Sequence, residues 1–334
     1  MNGDDVRRLA SRGAWKGEPL CATVVETHVS WVLLATSFAF KIKKPVRFSF
    51  VDFSTLERRK HFCQREVALN RRLTDIYLGV VPIVGGEGGL TLGGEDASAV
   101  DYAVCMRRMD PELEMSRLLA QDRVTPRQIE ELARVLARFH ASAEIVRAPF
   151  DEAEMRERLN DLRTVCGRVH QRLGPRYAAI CDAAMDYSDR YIEQSRSLLA
   201  ARVAKGFRRD VHGDVHTGNV FLSTPPVIFD CVEFDDALRR IDLLDEVAFL
   251  CMDLEAKHHD DLSKRFLDAY TKRMGFELSA DERSLLSYYE IYRASVRAKV
   301  TALKECTAHD WGEVARFLDY VDTRLAAVGC VPIT

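Results

Sequence analysis

The chain has 334 residues, 47% of them apolar and 30% charged, with a net charge of −3. This length exceeds one ordinary domain, and the composition is that of a folded globular protein, not of a disordered, fibrous or disulfide-stapled chain. No run approaches 18 apolar residues, and the opening M-N-G-D-D-V-R-R lacks the apolar core of a secretory signal, so a soluble, cytoplasmic protein without a membrane span is expected. The nine cysteines form no C-x-x-C pair and no Cys/His zinc spacing, which reads as reduced thiols.

In chain order, residues 20–44 hold three strand-like runs, Ala22–Glu26, Trp31–Leu34 and Phe38–Lys43. In the third, alternation puts Phe38, Phe40 and Ile42 on one face and Ala39, Lys41 and Lys43 on the other. Ser54-x-x-Glu57 is a capping-box signal for a helix through about Leu73, with a stripe of Phe62, position 66, Leu69 and Leu73. Position 66 is Glu, and a carboxylate inside an apolar stripe needs a cation. Gly79–Val84 and Leu90–Leu92 flank a turn, Gly85–Gly89, and Tyr102–Met106 is another strand.

The pattern then becomes helical: Glu112–Ala120, a Thr125-Pro126 start running to about Ala143, and periodic stretches over 151–172 and 175–203. A short hairpin, Val220–Leu222 with Val227–Phe229, interrupts it before further helix over 242–271 and 281–327. The fold class expected is α+β: a small β-rich N-lobe with one key helix (18–109), then a larger, mainly helical C-lobe (110–330). Lys and Arg concentrate in 41–72 and carboxylates in 230–246, a division suited to holding phosphates and their metal ions.

The chemistry concentrates in His212–Asp230. Residues 212–219 read H-G-D-V-H-T-G-N, placing Asp214 and Asn219 in a D-x-x-x-x-N spacing on a loop. A carboxylate there accepts the proton of an attacking hydroxyl, while a nearby amide oxygen holds the metal on the phosphates. Eleven residues on, the apolar run Val227-Ile228-Phe229 delivers Asp230, where a second metal-holding carboxylate is wanted.

H-G-D-x-H-x-G-N followed by an apolar strand and Asp resembles the aminoglycoside phosphotransferase and choline kinase superfamily, which has the protein-kinase-like two-lobed fold. E-T-H-V-S-W-V-L-L, F-K-I-K-K-P-V with D-F-S-T-L-E-R-R, and F-D-C-V-E-F-D-D-A-L-R-R-I-D further resemble an uncharacterised bacterial subgroup, often fused to a P-loop ATPase domain. No G-x-x-x-x-G-K-[ST] occurs here, so a stand-alone kinase-like unit is expected.

The resemblance implies ATP and Mg²⁺ as cofactors, Asp214 as the catalytic base, and Asn219 and Asp230 as metal ligands. Phe38-Ala39-Phe40-Lys41 matches the V-A-I-K pattern, which makes Lys41 the phosphate-binding lysine; Lys43, on the same face, is the competing choice. Glu66 becomes the helix carboxylate paired with that lysine. Met109, in a hinge at Arg107–Asp110, reads adenine through its backbone. Ser30 and Thr27, where a glycine-rich loop would be, are the phosphate-loop candidates. Glu233 assists the metal or is a solvated acid.

His212 shapes the loop, Asp245 caps a helix or braces the loop, and His258-His259-Asp260-Asp261 reads as a solvated face rather than a metal cluster. The implied activity moves the γ-phosphoryl of ATP to a hydroxyl of a small-molecule acceptor; a nucleotide-binding pseudokinase that regulates a partner is the alternative. The basic run is absorbed by phosphate work and a helix surface, which argues against a nucleic-acid partner. Acceptor identity, ATP against GTP, drug resistance and oligomeric state are not specified by the sequence.

Overall fold

Strands β1 (Ala14–Trp15), β2 (Glu18–Pro19), β3 (Thr23–Glu26), β4 (Ser30–Leu34), β5 (Phe38–Lys43), β6 (Tyr77–Gly86), β7 (Gly89–Leu92) and β8 (Ala99–Arg107) form one sheet, in the order β2-β1-β7-β6-β8-β5-β4-β3. The computed structural model describes residues 1–48, 51–86, 89–303 and 307–330; Glu87 and Gly88 of the expected Gly85–Gly89 turn lie outside the described residues. The chain divides into two compact units, Met1–Leu118 with Asn219–Ser223 and Val227–Leu238, and Leu119–Gly218 with Thr224–Pro226 and Arg239–Thr334.

The first unit is organised by the two faces of this sheet. Phe40 and Ile42 of β5 are wholly buried in a cluster with Trp31, Leu33, Ile83 and Ala103, each large side chain contributing about 1.5–3 kcal/mol. That cluster is closed by Val6, Leu9 and Ala10 of helix α1 (Gly3–Arg12), which the sequence reading did not anticipate. With so few apolar residues among charges, α1 is defined by its Asn2–Asp5 capping box and by what it covers.

The opposite face carries Ala39, Val104 and Met106 against Cys63 and Val67 of helix α2 (Leu56–Asn70). Lys41 and Lys43 share parity with Ala39, so they point toward α2, as alternation requires.

Helix α2 corrects two expectations. Its cap is Thr55, whose hydroxyl accepts from the Arg58 amide, while Ser54 bonds to Asp52 instead. Its buried face is Arg59, Cys63, Glu66, Val67 and Asn70, rotated from the Phe62/Leu69/Leu73 stripe. Polar groups with specific partners sit on that face, so hydrophobic periodicity misjudges its direction.

At the boundary lies α3 (Met115–Leu119), shorter than the helix expected over 112–120 because Pro111–Leu113 forms a separate 3₁₀ turn. The second unit holds α4 (Pro126–Ser142), opened by the Thr125–Gln128 capping box, then α5 (Glu152–Asn160), α6 (Arg163–Leu173), α7 (Pro175–Gln194) and α8 (Arg196–Ala204). The stretches of helical periodicity over 151–172 and 175–203 are each divided into two helices, at Asp161-Leu162 and at Ser195. The apolar pattern runs through both breaks, so it carries no stop signal.

Strands β9 (Arg208–Asp210) and β12 (Arg240–Asp242) pair in this unit, whereas β10 (Val220–Phe221) and β11 (Val227–Ile228) pair in the first. Helices α9 (Leu243–Glu255), α10 (Asp260–Met274), α11 (Ala280–Leu303) and α12 (Ala308–Ala327) complete the second unit; residues 304–306 of the helical stretch expected over 281–327 lie outside the described residues. Among the described residues no helix is long and apolar enough to cross a membrane.

Candidate active site

In the first unit, Glu66 is fully buried and divides its carboxylate between two lysines. Its Oε1 lies 3.0 Å from Lys41 Nζ in an ion pair, and its Oε2 accepts a 2.7 Å hydrogen bond from Lys43 Nζ. The two candidate partners are thus both partners. Lys41 also donates to Asp230 Oδ1 at 2.5 Å, and Lys43 to Glu233 Oε1.

Burial works against the Lys41 ammonium, but Asp230 and Glu66 outweigh it and keep the amine protonated well above its ordinary range. Burial likewise opposes ionisation of Glu66, and the two lysines pull its carboxyl below the usual value. Glu233 moves the other way: its burial exceeds what Lys43 returns, and its pKa is raised.

Asp230 stands just beyond β11 with φ +65°, a left-handed conformation costly for a side chain with a Cβ. Neighbours over-determine it. The Asp230 amide donates to the Tyr77 hydroxyl at 3.1 Å and the Cys231 amide to Asn70 Oδ1 at 3.0 Å. Asn219 directly precedes β10, and its carbonyl accepts from the Phe229 amide at 3.1 Å, so the β10–β11 ladder places the residues carrying both candidate ligands at one end.

An amide oxygen and a carboxylate are hard donors of the kind Mg²⁺ takes, and Mg²⁺ keeps waters and phosphate oxygens beside one or two protein groups. The Asp230 side chain is 41% exposed, so this donor set fits a solvated divalent ion.

Met109 is half-buried against the cluster of Ala39 and Met106, against which Val32, Val227 and Phe229 also pack. Its backbone makes no hydrogen bond with another described residue, which leaves a donor and an acceptor at the edge of an apolar surface. Ser30 is fully buried at the start of β4, and its amide donates to Thr27 Oγ1 while the Thr27 hydroxyl donates to the Ser30 carbonyl. These two residues close the β3–β4 turn.

In the second unit the His212–Gly218 loop is held by carboxylates from α9. Glu246 is wholly buried: its Oε1 accepts from the His212 amide at 2.8 Å and the Gly213 amide at 2.5 Å, and its Oε2 lies 2.6 Å from His140 Nε2. Asp253 accepts from the Thr217 amide and hydroxyl, at 2.9 and 2.6 Å, and from Lys257. Asp245 pairs with Arg293 at 2.6 Å, and Arg293 donates to the Gly213 carbonyl at 3.2 Å, so Asp245 braces the loop while Asp242 caps α9.

His216 stands 3.6 Å from Asp214 Oδ2, and its other ring nitrogen accepts from the Gly218 amide. Desolvation at the loop pushes the Asp214 carboxyl up, but His216, Arg297 and His212 outweigh it and hold it far below the ordinary carboxylate range. The Asp214 side chain nonetheless keeps 37% of its exposure, so this acid is offered to solvent.

The model of the phosphotransferase enzyme family APH matches residues 44–283, a range that begins just after the lysine pair and includes Glu66, the H-G-D loop and Asp230. The chain belongs to the APH phosphotransferase family. Uncharacterised proteins of Mycobacterium tuberculosis and Mycobacterium bovis are 33% identical to this APH chain over 338 residues, covering 93% of it and 62% of each of them. The chain therefore spans somewhat less than two thirds of the length of the curated relatives it matches.

Among solved structures, a choline kinase from Cryptosporidium parvum superposes with TM-score 0.58 at 12% identity, over 98% of this chain and 97% of that one. A choline/ethanolamine kinase family protein from Mesorhizobium loti gives 0.53 at 15%, over 98% and 99%. The GDP and kanamycin complex of APH(2")-IIia gives 0.54 at 11%, over 98% and 99%. These likenesses establish the kinase-like fold, a β-sheet lobe followed by a helical lobe.

The lysines, Glu66 and the H-G-D loop of this APH chain were named from sequence; Glu246, Asp253, His140 and Arg293 were not. The signal that exposed Glu66 was available for two of them, since Glu246 and Asp253 are carboxylates in a helix buried from Leu243 to Leu254. The basic run also resolves differently, because Lys43 and Arg59 are buried, Arg59 on Asp101 at 2.8 Å. His258, with φ +65°, and His259 form the turn before α10, and among the described residues no group of three metal-ligating side chains occurs. The second unit also has a solvent-open cleft walled by Tyr288, Tyr289 and Tyr292 of α11 and reaching Asp245.

Proposed function

We propose that this chain transfers the γ-phosphoryl group of ATP to a hydroxyl of a small-molecule acceptor, with Asp214 as base. The observation that carries the reading is Glu66, buried and shared by Lys41 and Lys43, with Lys41 also on Asp230. A phosphate-binding lysine held by a helix carboxylate and adjoining a metal-binding Asp is the charge arrangement that phosphoryl transfer needs.

Lys41 binds the α/β-phosphates, Asn219 and Asp230 hold Mg²⁺, and the Met109 backbone reads adenine. Bound Mg²⁺ neutralises the phosphates on which charge develops. Asp214 orients the acceptor hydroxyl and takes its proton as the new O–P bond forms and the bond to the departing ADP oxygen breaks. An acid held this low is a weak base toward a resting alcohol, so its chief work is orientation, with proton uptake late in the step.

The acceptor is a hydroxyl-bearing small molecule; the fold neighbours named for choline and kanamycin motivate amino alcohols and aminoglycosides as the first compounds to screen, beside sugars and nucleosides. Asp214→Asn should lower transfer by about 10²–10⁴-fold while ADP·Mg²⁺ binding, measured by calorimetry, is retained. Full turnover in that variant would remove Asp214 from the chemistry.

A further inference from the structure

We propose that Lys43 is a positioning residue that locks the metal-holding segment 230–236 onto helix α2, with Glu233 as its counter-ion rather than a ligand of the metal. The inference rests on the phosphotransferase reading above. It starts from the fact that β5 carries two lysines toward α2 and only one of them keeps appreciable exposure. Lys41 keeps 13% of its side-chain exposure; Lys43 keeps 1%, with its ammonium 4.8 Å over the Phe53 ring. A group so enclosed acts on its neighbours, and those neighbours are Glu66 Oε2 at 2.7 Å and Glu233 Oε1.

The bridge has a direction. Glu66 stands on α2 and Glu233 lies three residues beyond Asp230, so Lys43 joins the helix to the segment that presents the metal ligand. Other contacts dock the same segment on the same helix: Arg65 Nε donates to the Glu233 carbonyl at 3.0 Å, Arg65 also pairs with Asp236, and Asn70 holds the Cys231 amide. A strained residue such as Asp230 persists only where its surroundings over-determine it, and these contacts supply that.

Charge accounting excludes Glu233 from the metal. Lys41 and Lys43 face the three carboxylates Glu66, Asp230 and Glu233, leaving one negative charge in excess. Glu66 is 0% exposed and Glu233 7%, while Asp230 is 41% exposed. The surplus charge is therefore offered to solvent at Asp230, where a cation can reach it. Glu233 is consumed by Lys43.

The test is calorimetric binding of ADP with and without Mg²⁺, which needs no acceptor and no turnover. Lys43→Met should cut the Mg²⁺-dependent gain in ADP affinity on the order of tenfold to a hundredfold, the usual effect of losing a group that orients a metal ligand. Affinity without Mg²⁺ should be unchanged, and Lys43→Arg should restore most of the gain. Glu233→Gln should weaken the gain by itself, yet add nothing on top of Lys43→Met, because both remove one linkage.

An undiminished gain in Lys43→Met, or a further loss when Glu233→Gln is added to it, overturns the proposal; the second outcome would make Glu233 a ligand. Should Lys43→Met fail to fold, Arg65→Gln loosens the same segment from a half-exposed position and should lower the same gain, and a gain left intact there counts against the proposal. A native chain that binds no ADP under either condition would defeat the phosphotransferase reading itself, a result distinct from a normal gain that ignores Lys43.

Discussion

The two units hold their key acids by opposite means. In the first, charge is met by charge and every partner is duplicated: Glu66 has two lysines, and each lysine has a second carboxylate. In the second, Glu246 alone collects two backbone amides and the His140 ring. Under the proposed function, redundancy suits a clamp that exchanges a partner for phosphates and metal without collapsing, whereas a loop that must keep one shape is served by a single buried acceptor of backbone hydrogens.

The contrast can be broken by deletion. Glu246→Ala strands two buried amides and a histidine, and should cost about 3–5 kcal/mol, as loss of one partner of a buried charge network does. Chemical denaturation would check it, and a cost below that of Glu66→Ala would invert the comparison. Glu66→Ala should cost less, about 2–3 kcal/mol, because Lys41 retains Asp230 and Lys43 retains Glu233. Phosphoryl transfer should still fall sharply, since Lys41 then has only Asp230 to bind.

A third test concerns pH. Burial pushes Glu290 of α11 up to about 8, although Arg324 of α12 lies 2.9 Å away, and Glu255 of α9, on the same guanidinium, adds to the rise. The folded chain then keeps a proton that the unfolded chain has lost, so stability declines as pH climbs between the ordinary 4.5 and about 8. The slope is at most about 1.4 kcal/mol per pH unit. Glu290→Gln should flatten it in melting curves taken from pH 5 to 9; an unchanged slope would remove Glu290 as the cause. Four acids of the candidate site regions run the other way: Glu66, Asp214, Glu246 and Asp253 are depressed, so the stability they add is present above their unfolded values and lost in acid, whereas Glu233 and Asp245 are raised.

The smallest effect sharpens the loop side. A Cβ on Gly218 would stand 2.9 Å from His216 Cε1, so Gly218→Ala should cost only about 1 kcal/mol by displacing an imidazole at the end of its side chain. It should nevertheless lower kcat more than it changes nucleotide affinity, because that ring faces Asp214. Equal effects on both would show that the ring does not tune the acid.

Much of this was legible beforehand. Strand alternation put Lys41 and Lys43 on one face, and Glu66 declared itself as a charge on a buried helical face. The N-terminal helix and the true direction of α2 were not legible, since both depend on what the opposite surface contributes. The helix breaks near Asp161 and Ser195 were hidden because the same faces stay buried on either side of them.

By itself the sequence determined the kinase-like division into a β-rich and a helical part, and it singled out the H-G-D loop, Asp230 and the carboxylate in the α2 stripe as candidates, because spacing and periodicity are local properties. Only the tertiary structure decided that Glu66 is shared by two lysines, that Lys43 is sealed inside with Glu233, and that Glu246 and Asp253 hold the loop. Those facts depend on pairs separated by 23 to 190 positions, whose meeting follows from packing and from the cost of burying a charge without a partner.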